Sequence, residues 1–226
     1  MTRKSMIFSF LCVIIVSAMS IYAWVNLPDL AEYPVHWNIR GEVDGYGSRK
    51  TVLMILAMFP VLVLFLTGLF YAIPKIEPLR QNLENSRRAY NIACTLLLGF
   101  HVIVGAFMAL LFISPDGAIT QAFPRLVLIS TSLVFIGIGN VLGKVRQNFM
   151  FGIRTPWTLS SEFSWEKTHR LGGRGFVTVG FVSIIGAIIL PMTLVFIVFT
   201  ISILAFVLFV FIYSFIIWKG DPHKRS

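Results

Sequence analysis

Apolar residues in this chain come in long unbroken runs, not in the three-to-four spacing of a surface helix or the alternation of a half-buried strand. Runs at roughly 5–27, 51–74, 89–113 and 124–143 each match the about 20 residues that carry a helix across a bilayer core. The last run, about 175–218, is twice that length, and Pro191 stands where a tight turn would divide it into two spans. The pattern predicts an all-α polytopic membrane protein with six transmembrane helices. The first run can also be read as a secretory leader, with Arg3 and Lys4 ahead of an apolar core and Ala18-Met19-Ser20 behind it. It continues through Ile21, Ala23 and Trp24, however, which favours a retained span with an interfacial tryptophan.

Composition agrees: 57% of the 226 residues are hydrophobic and 13% charged, against about 25% charged in soluble domains. The net charge of +9 changes the picture only once the spans are drawn. Fifteen of the 19 basic residues, Lys224 and Arg225 of the tail among them, then fall on the side of the termini, and Arg40, Arg49, Lys50 and Arg125 on the other. That split assigns both termini to the cytoplasm and argues against direct nucleic-acid binding, since the charges sit in short groups between spans.

Chemistry is sparse. Cys12 and Cys94 both lie inside apolar runs, so they build neither a disulfide framework nor a thiolate site. No span interior holds the Asp, Glu, Lys or Arg that ion-coupled transporters use, and His101 and Asn140 are its notable polar residues. His101 is read as bonded to a neighbouring helix, and Gly139 with Gly143 as a small-residue spacing for close helix approach. There is no His-Glu-x-x-His and no nucleophile elbow, and the four histidines are far apart, so no enzyme activity, cofactor or metal is expected.

The chain divides into a two-span unit, 1–74, with an extracellular loop at 28–50; a basic cytoplasmic loop, 75–88; a four-span unit, 89–218, with a cytoplasmic loop at 144–174; and a basic tail, 219–226. The outer loop mixes Asp29, Glu32, Glu42 and Asp44 with Tyr33, Trp37 and Tyr46 among turn-forming Pro34, Gly41, Gly45 and Gly47. It reads either as an aromatic belt at the headgroups or as a recognition surface, with Tyr33, Pro34, His36, Trp37 and Asp44 as the candidate residues.

In the inner loop Pro156 pushes Thr155 out of helical geometry, and a short helix is expected after a Ser160 or Ser161 cap. Glu162 suits the start of that helix and Lys167 and Arg170 its end, before Gly172 and Gly173 stop it. Glu162, Trp165 and His169 share a face, Glu166 pairs with Arg170, and the segment would lie along the membrane or plug the bundle. His169 and Arg154 would lie near headgroup phosphates, which leaves a lipid- or peptide-modifying enzyme without an identified nucleophile as a further alternative.

The stretch GNVLGKVRQNFMFGIRTPWTLSSEFSWEKTHRLGGRGF, residues 139–176, resembles the signature of the SdpI family of bacterial immunity proteins. The outer YPVHWNIRGEVDGYGSRK resembles the small domain of unknown function that often precedes it. The resemblance implies a multi-pass protein of the bacterial plasma membrane, embedded in the lipid bilayer, that protects against a secreted antimicrobial peptide of the SDP type. It also implies, for some members, a receptor role in which a cytoplasmic autorepressor is held at the membrane. Carried onto matching positions, the signature comprises Asn140, Asn148, Gly152, Arg154, Thr155, Pro156, Trp157, Thr158, Trp165, Thr168 and His169. The alternative from a different class is a transporter or exporter of peptide or lipid.

Overall fold

The structure is a computed structural model and describes residues 2–223, so Lys224 and Arg225 lie outside the described residues. Its elements run α1 (Arg3–Val25), β1 (Tyr33–Trp37), β2 (Val43–Gly47), α2 (Arg49–Ile76), α3 (Arg80–Asn85), α4 (Arg87–Ile113), α5 (Ala118–Leu142), α6 (Pro156–Ser160), α7 (Glu162–Ile189) and α8 (Met192–Lys219). Six of these helices, α1, α2, α4, α5, α7 and α8, are long and apolar enough to cross a membrane. The chain is a multi-pass membrane protein. Side-chain caps start several helices, Thr2 accepting from Ser5 N–H at α1, Ser48 from Thr51 N–H at α2 and Ser161 from Ser164 N–H at α7. Pro191, fixed in φ and without an N–H, separates α7 from α8 as the N-cap of the latter.

Two ends of the bundle can be told apart by contact. At one end Thr2 and Ser5 border Arg87 and Arg88, Ser86 accepts the N–H of Arg146, and Ser161 donates to Asp221, so both termini share this end with the 143–161 loop. At the other, the indole of Trp37 donates to the Thr120 carbonyl at 2.9 Å, Gly41 lies against Met192, and Arg125 donates to the Ala187 and Leu190 carbonyls. Between them Cys12, Val16, Phe59, Val63, Tyr90, Cys94 and Leu98 form one core among α1, α2 and α4, which runs across the boundary between the two-span and four-span units.

The structure corrects the reading of the inner segment. The expected short helix ending at Gly172 and Gly173 is the N-terminal part of α7, which runs unbroken into the fifth span, so residues 162–174 are not a separate surface helix. Each interior glycine costs about 1 kcal/mol of helix propensity. Here packing offsets that cost: a Cβ on Gly139 would stand 2.6 Å from the Gly173 carbonyl oxygen, and a Cβ on Gly173 equally close to the Gly139 oxygen. The helices α5 and α7 therefore touch backbone to backbone. Lys167 and Arg170 consequently sit mid-helix and not at a C-terminus, although the Ser161 cap and the Glu166–Arg170 pair, 3.6 Å, are as expected.

A second correction concerns polar residues in the spans. His101 bonds the Leu97 carbonyl of its own helix at 2.7 Å, not a neighbouring helix. Thr67, Ser130, Thr131, Ser132, Asn140 and Ser183 likewise bond the carbonyl four residues back.

Candidate functional site

The outer loop folds as a twisted antiparallel hairpin, a small β addition to an otherwise helical chain. Asn38 organises its turn, accepting the N–H groups of Arg40 and Glu42 on one side-chain oxygen, and Gly41 supplies the positive φ, +79°. Pairing skips Val35 on one strand and Asp44 on the other, since Pro34 faces Tyr46, His36 faces Gly45 and Trp37 faces Val43. These bulges turn Asp44 onto His36, Nδ1 to Oδ1 2.6 Å, with both side chains largely in solvent. Gly45 makes room for that arrangement, because a Cβ there would stand 2.7 Å from the Cβ of His36.

The five outer candidates thus separate. Tyr33 is fully covered and its hydroxyl donates to the Pro28 carbonyl; Pro34 is also buried. Trp37 is half-buried on Phe123, ring centroids 4.7 Å apart. Only His36 and Asp44 present their polar atoms outward.

At the opposite end the 143–161 loop is tied down by its own polar groups. The Asn148 amide, wholly buried, uses all of its valences: Oδ1 accepts from Met150 and Phe151 N–H, and Nδ2 donates to the Arg146 and Phe151 carbonyls. Trp165 is buried beneath the loop and donates its indole N–H to the Val145 carbonyl at 2.7 Å. His169 stacks on it at 3.9 Å between centroids. The His169 ring is occupied at both nitrogens, Nε2 accepting from Ile153 N–H at 3.0 Å and Nδ1 donating to the Trp165 carbonyl at 2.8 Å. This geometry specifies the Nδ1–H tautomer. It leaves no lone pair on the ring for a metal.

Gly152 lies directly over the His169 ring with φ +121°, a conformation and a space that other residues do not fit. Thr155 caps α6 in a reciprocal box with Thr158, Pro156 occupies the first helical turn, and Thr158 also donates to the Ile153 carbonyl. Thr155 bonds Ser214 of α8 at 3.0 Å, and Trp157 packs edge-on against Phe211 and near Phe215. Thr168 is fully buried, its hydroxyl without a partner among the described residues. Arg154 is exposed and reaches back to the Phe149 carbonyl at 2.6 Å, and Asn140 is exposed on α5, outside the loop.

Several residues that the sequence did not single out hold this module. Glu77, 3% exposed, accepts the N–H of Phe149, and Asn82 donates to the Gln147 carbonyl at 3.0 Å. Gln147 in turn donates to the carbonyls of Thr158 and Leu159. Ser214 and Asp221 tie α8 to the start of α7 through Ser164 and Ser161, the last pair at 2.5 Å. Ser214 is one of several hydroxyls in the α8 run, with Thr193, Thr200, Ser202 and Tyr213, and nothing local marks it; Glu77 lies in a loop whose basic residues dominate its pattern.

Comparison with known proteins follows this anatomy. Residues 144–217 match the SdpI/YfhL protein family, and residues 11–64, which include the hairpin, match a domain of unknown function, DUF1648. A curated relative, Immunity protein SdpI of Bacillus subtilis (strain 168), is 23% identical over 179 residues, 79% of this chain and 79% of the relative. No solved structure matches the chain.

Proposed function

We propose that this multi-pass bacterial membrane protein, which carries an SdpI-family segment over residues 144–217, is a non-enzymatic immunity protein that protects its cell from a secreted antimicrobial peptide of the SDP type. The observation that carries the reading is the likeness to Immunity protein SdpI across 79% of both chains. In this proposal the termini face the cytoplasm, an orientation supported by the basic residues: among those described, all but Arg40, Arg49, Lys50 and Arg125 lie toward the end that holds the termini. His36 and Asp44 at the hairpin meet the peptide, with the exposed edge of Trp37 beside them and Tyr33 and Pro34 holding the hairpin's shape.

The inner module would serve as the docking surface for a cytoplasmic repressor, with Arg154, Pro156 and the edge of Trp157 as its accessible part. Asn148, Gly152, Thr155, Thr158, Trp165, Thr168 and His169 would set its shape. The transporter alternative gains no support from Thr67, Ser130, Thr131, Ser132, Asn140 and Ser183, whose side chains are turned back onto their own helices.

The test is survival. The intact chain, expressed in a peptide-sensitive bacterium with membrane insertion verified, is expected to raise tolerance to a secreted SDP-type peptide over a vector control. Equal killing of both strains at matched expression would sink the proposal.

A further inference from the structure

Where α5 and α7 reach the end of the bundle that holds the termini, they part around an open groove of about 530 Å³. Its floor is the glycine crossing of Gly139 and Gly173, and its walls carry Asn140, Lys144, Arg170, Arg174, Val177 and Thr178. Three cations, Arg170 and Arg174 of α7 and Lys144 just past the end of α5, thus converge on one concavity. Their carboxylate supply is short: Glu166 is shared between Arg146 at 2.8 Å and Arg170 at 3.6 Å, and Lys144 and Arg174 form no ion pair among the described residues. Elsewhere at this end Arg87 pairs with Glu84 at 3.0 Å and Arg154 bonds the Phe149 carbonyl, while Arg87 and Arg88 border a second groove with Thr2, Ser5 and Asn91.

The depth of the groove is informative. Arg125 marks the opposite end of α5, and at ~1.5 Å per residue Gly143 lies ~27 Å farther along the helix, close to the ~30 Å of a hydrocarbon core. The groove therefore stands at the level of lipid headgroups. Below it an apolar track continues along the outside of α7 through Phe181, Val182, Ile185, Ile188 and Ile189, all exposed and spaced to follow one face from Thr178.

We propose that this groove binds an anionic phospholipid, its phosphodiester held by Lys144, Arg170 and Arg174 and its acyl chains lying along the α7 track. Arg170 and Arg174 stand one turn apart, so their guanidinium groups can take different phosphate oxygens, while Lys144 approaches from the α5 side. The side-chain oxygen of Asn140, whose amide nitrogen is tied to Ile136, faces the same concavity and can accept from a glycerol headgroup hydroxyl. A free phosphate would satisfy the cations equally well but would leave the apolar track unused; charge and track together call for a lipid.

The test uses the purified full-length protein in neutral detergent, titrated with phosphatidylglycerol, phosphatidylcholine or inorganic phosphate and read by native mass spectrometry. The wild type is expected to retain phosphatidylglycerol in preference to phosphatidylcholine. Lys144→Gln with Arg174→Gln should lower that retention at least tenfold, given about fivefold per basic residue near a charged headgroup. A charge-matched control, Arg80→Gln with Lys167→Gln, should stay within about twofold, and Lys144→Arg with Arg174→Lys should keep binding. Equal retention of the two lipids by the wild type overturns the proposal with no variant needed. It is overturned too if target and control variants fall alike, which is diffuse surface charge, or if inorganic phosphate displaces phosphatidylglycerol at equal concentration, which identifies a soluble anion as the ligand.

Discussion

The carboxylate of Glu77 accepts the backbone N–H of Phe149 on both of its oxygens, at 3.1 Å each, across a separation of 72 residues. Its Oε1 also accepts the N–H of Leu79. One buried acid therefore ends α2 and anchors the signature loop at once. A hydrogen bond to a charged group contributes ~1.5–3 kcal/mol, and the buried amides would lose their acceptor. Glu77→Ala is expected to lower stability by about 2–3 kcal/mol and to open the 143–161 loop to limited proteolysis, with Glu77→Gln, which keeps one acceptor oxygen, costing less. A loop as protease-resistant in Glu77→Ala as in the wild type would show that the anchor is dispensable.

Gly152 makes a sharper prediction. Replacement by alanine combines a positive φ, strained by about 1–3 kcal/mol for other residues, with a methyl group driven into the His169 ring. Gly152→Ala should lower the apparent unfolding midpoint of the purified protein and abolish protection, while Gly68→Ala, where a Cβ meets nothing within 4 Å, should do neither. Comparable losses in both would mean that helix or loop glycines matter here for some reason other than fit.

Trp165 separates packing from hydrogen bonding. Trp165→Phe loses the bond to the Val145 carbonyl and should cost about 1 kcal/mol from that bond, plus a small volume term, whereas Trp165→Ala should cost about 3–5 kcal/mol. Denaturant or thermal unfolding in a fixed detergent measures both. Equal costs would place the energy in the hydrogen bond.

Exposed residues should behave in the opposite way. His36 and Asp44 form a surface pair worth at most about 1 kcal/mol, so His36→Ala and Asp44→Asn should leave unfolding nearly unchanged. If the hairpin meets the peptide, both should nonetheless reduce survival in the toxin assay at equal expression. Full protection by the two variants would remove the pair from recognition.

If the inner module docks a repressor, Arg154→Ala should weaken its recruitment while sparing insertion, because the other basic residues at this end still set orientation. Trp157→Ala removes contacts with Phe211 and Phe215 and is expected to lower stability as well. A membrane-recruitment assay for the repressor against membrane fractionation distinguishes the two effects; loss of insertion in Arg154→Ala would return that residue to a topological role.

The spans and their count were legible because a bilayer imposes length on apolar runs, and Pro191 supplied the division of the longest one. The start of the fifth span was not, because Gly172 and Gly173 look like a helix stop unless their packing partners are known, and these, Ile153 for Gly172 and Gly139 for Gly173, lie on other segments. The candidate site was legible as a set of shape-fixing residues, Asn148, Gly152, Thr155 and Pro156, yet their division into covered and exposed was not. Burial is a property of the assembled module: His169 carries polar atoms that could equally have faced water, and its partner sixteen residues away, the backbone N–H of Ile153, decides that they do not. Glu77 illustrates the same limit, since an acid beside Pro78 shows nothing locally of the Phe149 amide waiting 72 residues along the chain.

The glycine crossing is one of two places where α7 lies tight on α5, the other being Gly180, where a Cβ would stand 2.8 Å from the Ser132 carbonyl oxygen. Gly173 lies twelve residues beyond the Ser161 cap and seventeen short of Leu190, which at ~1.5 Å per residue gives arms of about 18 and 25 Å. The outer arm ends on the carbonyls held by Arg125, and the inner arm carries Trp165 and His169 beneath the loop. A rod held against another at two places ~10 Å apart cannot rock about either one, so a sideways push at the hairpin end reaches the ring stack only as a movement of α5 and α7 together.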